Sequence, residues 1–230
     1  MRILFVCAGN ICRSVIAECV AKERARQMLG GAACALEVES GGINAESDSA
    51  PHPECRRALE LIDVPFSGTT STLVDEGHMA AADLVITMTR QQCYVLASRF
   101  PEHRRKCFSL IEMNGAIETL LSGREREGET RGRPGALPEA DVRRLLDSAV
   151  DSLHGASREL MRPLAGVPMD VRELMTLFSP CFYQVSGIHD PLGGTEDEIE
   201  RCASQIDREV TAILEGLLAL GAVGVEQAAG

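Results

Sequence analysis

Long apolar runs are missing from this chain. The best candidate, Leu217 to Val225, is bracketed by Glu215 and Glu226. It falls far short of the roughly 20 residues that span a bilayer, so no membrane partner is expected. No basic stretch followed by a long apolar core opens the sequence, so no signal peptide is expected and a cytoplasmic location follows. Positive charge is also scarce. Lys and Arg total 23 against 34 Asp and Glu, a net charge of −11, which excludes a broad nucleic-acid-binding face. Lysine occurs only at positions 22 and 106, which reads as a base-composition bias of the source genome. The nine cysteines include no C-x-x-C pair and no Cys/His cluster with zinc-like spacing, and the five histidines lie far apart. No metal site and no cofactor are therefore expected, and the odd, scattered thiols fit a reducing compartment. There is no internal repeat. What the chain does have is 230 residues that are 45% apolar, enough for one core with room for an insertion.

The opening stretch carries the chemistry. An apolar run, Ile3 to Val6, ends abruptly in Cys7, and Arg13 and Ser14 follow before apolar residues recur at helical spacing from Val15. This reads as strand, tight loop and helix N-terminus. Free N–H groups and the macrodipole at a helix start make an anion site. The same field favours a thiolate, so Cys7 is the candidate nucleophile. Arg13 adds a planar fork that grips two phosphate oxygens at once. A nucleophile beneath a phosphate cradle points to phosphoryl transfer through a phosphocysteine. The alternative is an ordinary first strand and helix with a buried Cys.

Further along, apolar segments alternate between strand and helix periods. Residues 2–6, 36–40, 83–88 and 106–111 read as strands, and 14–29, 51–62, 73–81 and 90–100 as helices. Such alternation predicts an α/β fold, a doubly wound parallel sheet with helices on both faces and ligands beyond the carboxyl ends of its strands. Residues 114–180 interrupt the pattern. A Gly-, Arg- and Glu-rich stretch over 122–138 reads as a solvated loop, and helical patterns follow at 138–153 and 170–178. The expected division is an α/β domain from 1–113 and 186–222, with a charged loop and helical insertion over 114–185. Three of the chain's eight aromatic residues, Phe178, Phe182 and Tyr183, crowd the end of that insertion. They are expected either to wall the active site or to anchor the insertion's helices.

The segment Val6-Cys-Ala-Gly-Asn-Ile-Cys-Arg-Ser14 resembles the phosphate loop of the low-molecular-weight protein tyrosine phosphatases, and His189-Asp-Pro-Leu-Gly-Gly194 resembles their Asp-Pro loop. Residues 82–89, 96–101 and 106–110 look most like the bacterial protein-arginine-phosphatase branch. The resemblance covers about 1–113 and 186–216. It implies a flavodoxin-like strand order, a phosphorylated protein or peptide as substrate, and phosphate as product. Cys7 is then the nucleophile, Arg13 the phosphate clamp and Asp190 the general acid that serves each half-reaction in turn. Ala8, Gly9, Asn10, Ile11, Cys12, Arg13 and Ser14 form the binding loop. Ser14 is expected to hold its hydroxyl near the Cys7 sulfur, and also to be a helix N-cap or first-turn residue. Asn10 suits a left-handed position and by resemblance braces the loop, or it is a simple turn residue. Cys12 by resemblance forms a reversible disulfide with Cys7, or packs as a small apolar side chain. Asp-Pro alone is a common turn initiator, and His189 reads as a solvent-facing loop residue.

The chain departs from the family pattern at several positions. Val15 stands where Pro usually opens the helix, and Leu192 where tyrosine-specific members place aromatics. Gly68 lies near the place of a buttressing His, which puts the bracing network in question. Ile11 suits an aryl ring, whereas the arginine branch typically carries the smaller, polar Thr there. The expected activity is therefore hydrolysis of phosphotyrosine, with a protein-arginine phosphatase as the close alternative. An arsenate reductase is a third reading, for which Cys93 and Cys107 are not spaced like the required thiol relay.

Overall fold

Strand β1 (Arg2–Cys7) sits inside the sheet because both of its faces are apolar. Ile3, Phe5 and Cys7 join one buried cluster, and Leu4 and Val6 join the other, as a side-chain period of two requires. In this computed structural model, which describes residues 1–68, 70–126 and 187–223, four parallel strands lie in the order β2-β1-β3-β4. The others are β2 (Glu37–Gly42), β3 (Leu84–Thr87) and β4 (Cys107–Ser109). The doubly wound parallel sheet read from the sequence is thus present, in a flavodoxin-like order. Edge strand β2 alternates exposed Glu37 and Glu39 with buried Val38, whereas β3 is buried throughout.

Helices α1 (Arg13–Leu29) and α2 (Pro53–Leu61) cover one face of the sheet. Helices α3 (Glu76–Ala81) and α4 (Arg90–Arg99) cover the other. Two more helices, α5 (Leu110–Arg126) and α6 (Glu196–Ala219), complete the first layer. Helix α6 turns Ile199, Ala203, Ile206, Val210, Ile213 and Leu217 inward at helical spacing. Arg24 of α1 grips Asp207 of α6 with two bonds of 2.8 and 2.7 Å, which fixes the pair in register.

The structure corrects three element boundaries. Residues 106–111 are not one strand: β4 stops at Ser109, and Leu110 already belongs to α5. Ser109 and Glu112 cap that helix reciprocally, the Glu112 carboxylate accepting from Ser109 N–H and the Ser109 oxygen from Glu112 N–H. Helix α5 also runs on to Arg126, into the loop predicted from residue 122. Met113, Ala116 and Ile117 are core residues, and Asn114 bonds to Glu209 of α6. The predicted helices at 138–153 and 170–178, with Phe178, Phe182 and Tyr183, lie outside the described residues. Leu73, expected in a helix, instead extends the sheet by a parallel bridge to Gly42, and α3 starts only after its Asp75 cap.

Helices α5 and α6 approach closely at Gly216, where a Cβ would overlap Ile117 Cγ2. Overpacking costs about 1–3 kcal/mol. The helix-propensity gain of Gly to Ala, up to about 1 kcal/mol, offsets only part of it. Gly216→Ala is therefore expected to lower the urea-unfolding free energy by about 1–2 kcal/mol. An unchanged or raised midpoint would show that the two helices can separate without loss.

Candidate active site

Five residues connect β1 to α1, and they are held from several sides. Ile43 N–H donates to Cys7 O at 3.0 Å and Asn44 N–H to Ala8 O at 2.9 Å. His52 N–H donates to Ile11 O at 2.8 Å. Gly42 lies so close that a Cβ there would meet Ala8 O and Asn10 N at 2.8 Å, so the crossing strand needs glycine. Asn10 has φ +53°, the left-handed conformation anticipated for it, and is fully buried. Its amide nitrogen donates to Ser14 Oγ at 3.0 Å and Ser40 Oγ at 2.8 Å, while its oxygen accepts from Thr72 N–H at 2.8 Å. The bracing network that Gly68 put in question is therefore closed by a backbone amide four residues further on.

That network aims hydrogen-bond donors at the Cys7 sulfur. Asn10 N–H points at Sγ from 3.3 Å, and Ser14 Oγ lies 3.0 Å away. Ser14 Oγ accepts from Asn10 and keeps its own proton free for a thiolate sulfur, which can only accept. Ser14 is a first-turn residue of α1 and not its cap: Cys12 takes that place, without a side-chain cap, and the first turn carries no acidic residue. Helices α2, α3, α4 and α6, by contrast, all have side-chain caps. The N–H groups at the start of α1 are thus left to serve an anion.

The Asp-Pro loop reaches this site from 177 residues away in sequence. Gly187 bridges Thr89 in antiparallel fashion, and Ile188 N–H donates to Met88 O at 2.9 Å, so the segment extends the carboxyl end of β3. Arg13 is 6% exposed. It donates to Ile188 O at 3.1 Å and pairs with Asp190 Oδ2 at 2.5 Å. The Asp190 side chain is half exposed. The structure thus brings Cys7, Asn10, Arg13, Ser14 and Asp190 together, with Ala8 exposed and Gly9 and Ile11 part-exposed around the cradle. Leu192, beyond Asp190, is exposed. No described aromatic residue is found in these contacts.

Cys12 is buried, and the Cys55 thiol donates to its carbonyl at 3.8 Å. A hydrogen bond with Cys12 and burial push the Cys55 thiol far up, and burial raises Cys202 to about 12. Those neighbours stay protonated near neutral pH. Cys7 and Cys12 are both free thiols. Among the described residues no group of His, Cys, Asp and Glu is arranged to hold a metal ion.

One participant escaped the sequence reading. Glu18, only 2% exposed on α1, accepts from Ser40 Oγ at 2.6 Å and pairs with Lys22. It extends the chain Cys7–Ser14–Asn10–Ser40 to a buried carboxylate. The signal was present as Ser14, Glu18 and Lys22 at i, i+4 and i+8, a polar stripe on an otherwise apolar helix face.

The family model described as low molecular weight phosphotyrosine protein phosphatase matches residues 2–120. A protein-arginine-phosphatase of Bacillus subtilis is 37% identical over 113 residues, 49% of this chain and 71% of that protein. An arsenate reductase of Staphylococcus epidermidis is 35% identical over 86 residues, 37% of this chain and 58% of that protein. Among solved structures, a low-molecular-weight phosphotyrosine phosphatase from Vibrio cholerae superposes with a TM-score of 0.59 at 15% identity, covering 95% of this chain and 97% of that one. A solved arginine phosphatase superposes with a TM-score of 0.57 at 22% identity, covering 95% and 96%. These structures share the fold. The chain belongs to the low-molecular-weight phosphotyrosine protein phosphatase family.

Proposed function

We propose that this phosphatase hydrolyses phosphotyrosine in proteins through a phosphocysteine on Cys7. The observation that carries the reading is a buried sulfur with an amide N–H and a hydroxyl aimed at it, beside an uncapped helix start and Arg13. In the first half-reaction Cys7 Sγ attacks phosphorus while Asp190 gives its proton to the departing oxygen. In the second, Asp190 takes a proton from the water that attacks phosphocysteine, the S–P bond breaks and phosphate leaves. Arg13 and the loop N–H groups hold the equatorial oxygens as charge spreads over them. An incoming phosphate competes with Asp190 for the Arg13 fork; the released carboxylate takes up a proton from solvent and so becomes the acid that faces the leaving group. The eight described cysteines, all free, fit a reducing, cytoplasmic setting. The insertion, proposed over 114–185, is read as an addition to the α/β domain whose first residues, in α5, share that domain's core.

Ile11, part-exposed on the loop, favours an aryl ring over a planar, polar phosphoguanidinium. Phosphoarginine is the second reading. It is favoured by the named activity of the Bacillus relative and by Leu192-Gly193-Gly194, which offers no aromatic flank. The arsenate-reductase reading fares worse. Cys93 and Cys107 pack in the cluster on the opposite sheet face from Cys7, and burial pushes both thiols up.

Cys7→Ser is expected to abolish turnover and leave the fold intact, because a Ser hydroxyl is far less ionised. Substantial residual activity would remove Cys7 from the nucleophile's role. Asp190→Asn should lower kcat/KM by about 10²–10⁴-fold for poor leaving groups and by much less for activated ones. An equal loss across leaving groups would exclude Asp190 as the acid. Ile11→Thr is expected to shift the ratio of kcat/KM values from phosphotyrosine towards phosphoarginine peptides. An unchanged ratio would mean that specificity is set elsewhere.

A further inference from the structure

Beyond Asp190 the acid loop has few supports. Leu192 N–H turns back to Asp190 Oδ1 at 3.4 Å, and Gly194 N–H to Pro191 O at 3.0 Å; both bonds are internal. Gly193, at φ +76°, points its N–H out of the loop. It meets the Glu54 carboxylate, with Oε1 at 3.2 Å and Oε2 at 3.1 Å. Among the described residues this is the side chain outside the loop and α6 that holds segment 191–194. The Glu54 side chain is three-quarters buried. It sits on the first turn of α2, whose start is tied to the phosphate loop by His52 N–H on Ile11 O at 2.8 Å and by the Cys55 thiol on Cys12 O.

We propose that Glu54 is the positioning residue of the general-acid loop, the strut through which the nucleophile's loop sets the place of Asp190. The need for such a strut follows from the ion pair already described. While Arg13 holds Asp190, that pair locates the carboxyl; once a phosphate occupies the Arg13 fork, the pair is lost. Glu54 keeps its grip on Gly193 in both conditions, because neither partner touches the phosphate-binding groups. A charged acceptor shared between two oxygens is a stronger anchor than a neutral one. The other link from α2, Arg57 to Glu196, joins two exposed side chains and contributes little. A first-turn Glu also suits the dipole of α2, which is a purely structural benefit, and the test must separate the two roles.

The inference rests on Asp190 being the acid. The experiment measures kcat/KM of the full chain for a series of aryl phosphates with leaving groups from nitrophenol to unsubstituted phenol, with Glu54→Ala, Glu54→Gln, Asp190→Asn and the double variant Glu54→Ala/Asp190→Asn. Displacement of a catalytic group by about 1 Å costs up to about 10²-fold. Glu54→Ala is therefore expected to lose about 10- to 100-fold with phenyl phosphate. With nitrophenyl phosphate, which needs little protonation, the loss should stay below about threefold. Glu54→Gln, whose amide oxygen accepts the same N–H, should recover most of the loss and covers the case in which the Ala variant folds poorly. In the Asp190→Asn background Glu54→Ala should add nothing, since its effect passes through Asp190. An equal loss across the series, or an undiminished loss in the double variant, overturns the proposal. If Asp190→Asn itself shows no leaving-group dependence, the acid assignment falls and takes this inference with it; a normal Asp190→Asn result with a flat Glu54→Ala profile sinks the strut alone.

Discussion

Asn10 spends its whole side chain on bracing. Its amide binds Ser14 and Ser40, its carbonyl oxygen binds the Thr72 amide, and its left-handed backbone turns its own N–H onto the Cys7 sulfur. Asn tolerates that conformation better than most residues. Each bond contributes only about 0.5–1.5 kcal/mol net, whereas each buried partner left unsatisfied would cost about 1–3 kcal/mol. The three partners come from α1, β2 and the segment that bridges to β2, so the loop is registered against the sheet itself. Gly42 completes that registration by allowing β2 to pass against the loop backbone.

Charge is distributed around the same point. A chain of net charge −11 repels anions at long range, so the anion site must be local. The start of α1 suits that task by omission: no side chain caps the helix and no acidic residue occupies its first turn, while Arg13 lies buried beside it. Asp190 pairs with that arginine in this structure. The pairing couples the two halves of the proposed chemistry, because a phosphate that claims Arg13 displaces the carboxyl that must protonate its leaving group. Glu18 lies on the other side of the loop, behind Ser40; its buried carboxylate accepts from Ser40 Oγ and pairs with the exposed Lys22.

Much of this was legible in the sequence because it is local. The strand ending in Cys7, the helix from Arg13 and the left-handed Asn10 follow from residues within a few positions of one another. Alternating periods were enough for a parallel sheet, and β1 splits its side chains between the two cores as a buried strand must. The missed helix start at Leu110 was also local. Ser109 and Glu112 form a capping box, but the apolar run through Phe108, Leu110 and Ile111 masks it as strand. What local pattern could not supply were pairings between distant segments. Glu54 with Gly193, Ser40 with Glu18, and Thr72 with Asn10 each join elements whose meeting is decided by the sheet order. Asp190 was found only through a resemblance, since an Asp-Pro pair has no spacing relation to Cys7.

The central claim is that the loop geometry fixed by Asn10 makes Cys7 a phosphoryl acceptor. Pre-steady-state kinetics with nitrophenyl phosphate tests it most directly, comparing the wild-type chain with Asn10→Ala. The account predicts a burst of nitrophenol from the wild type that approaches one equivalent per chain, and phosphate recovered on the Cys7 peptide after acid quench. In Asn10→Ala the burst rate should fall by about 10- to 100-fold, the scale expected when reacting groups are displaced by about 1 Å. A burst of wild-type rate from Asn10→Ala, or phosphate recovered on a residue other than Cys7, would contradict it.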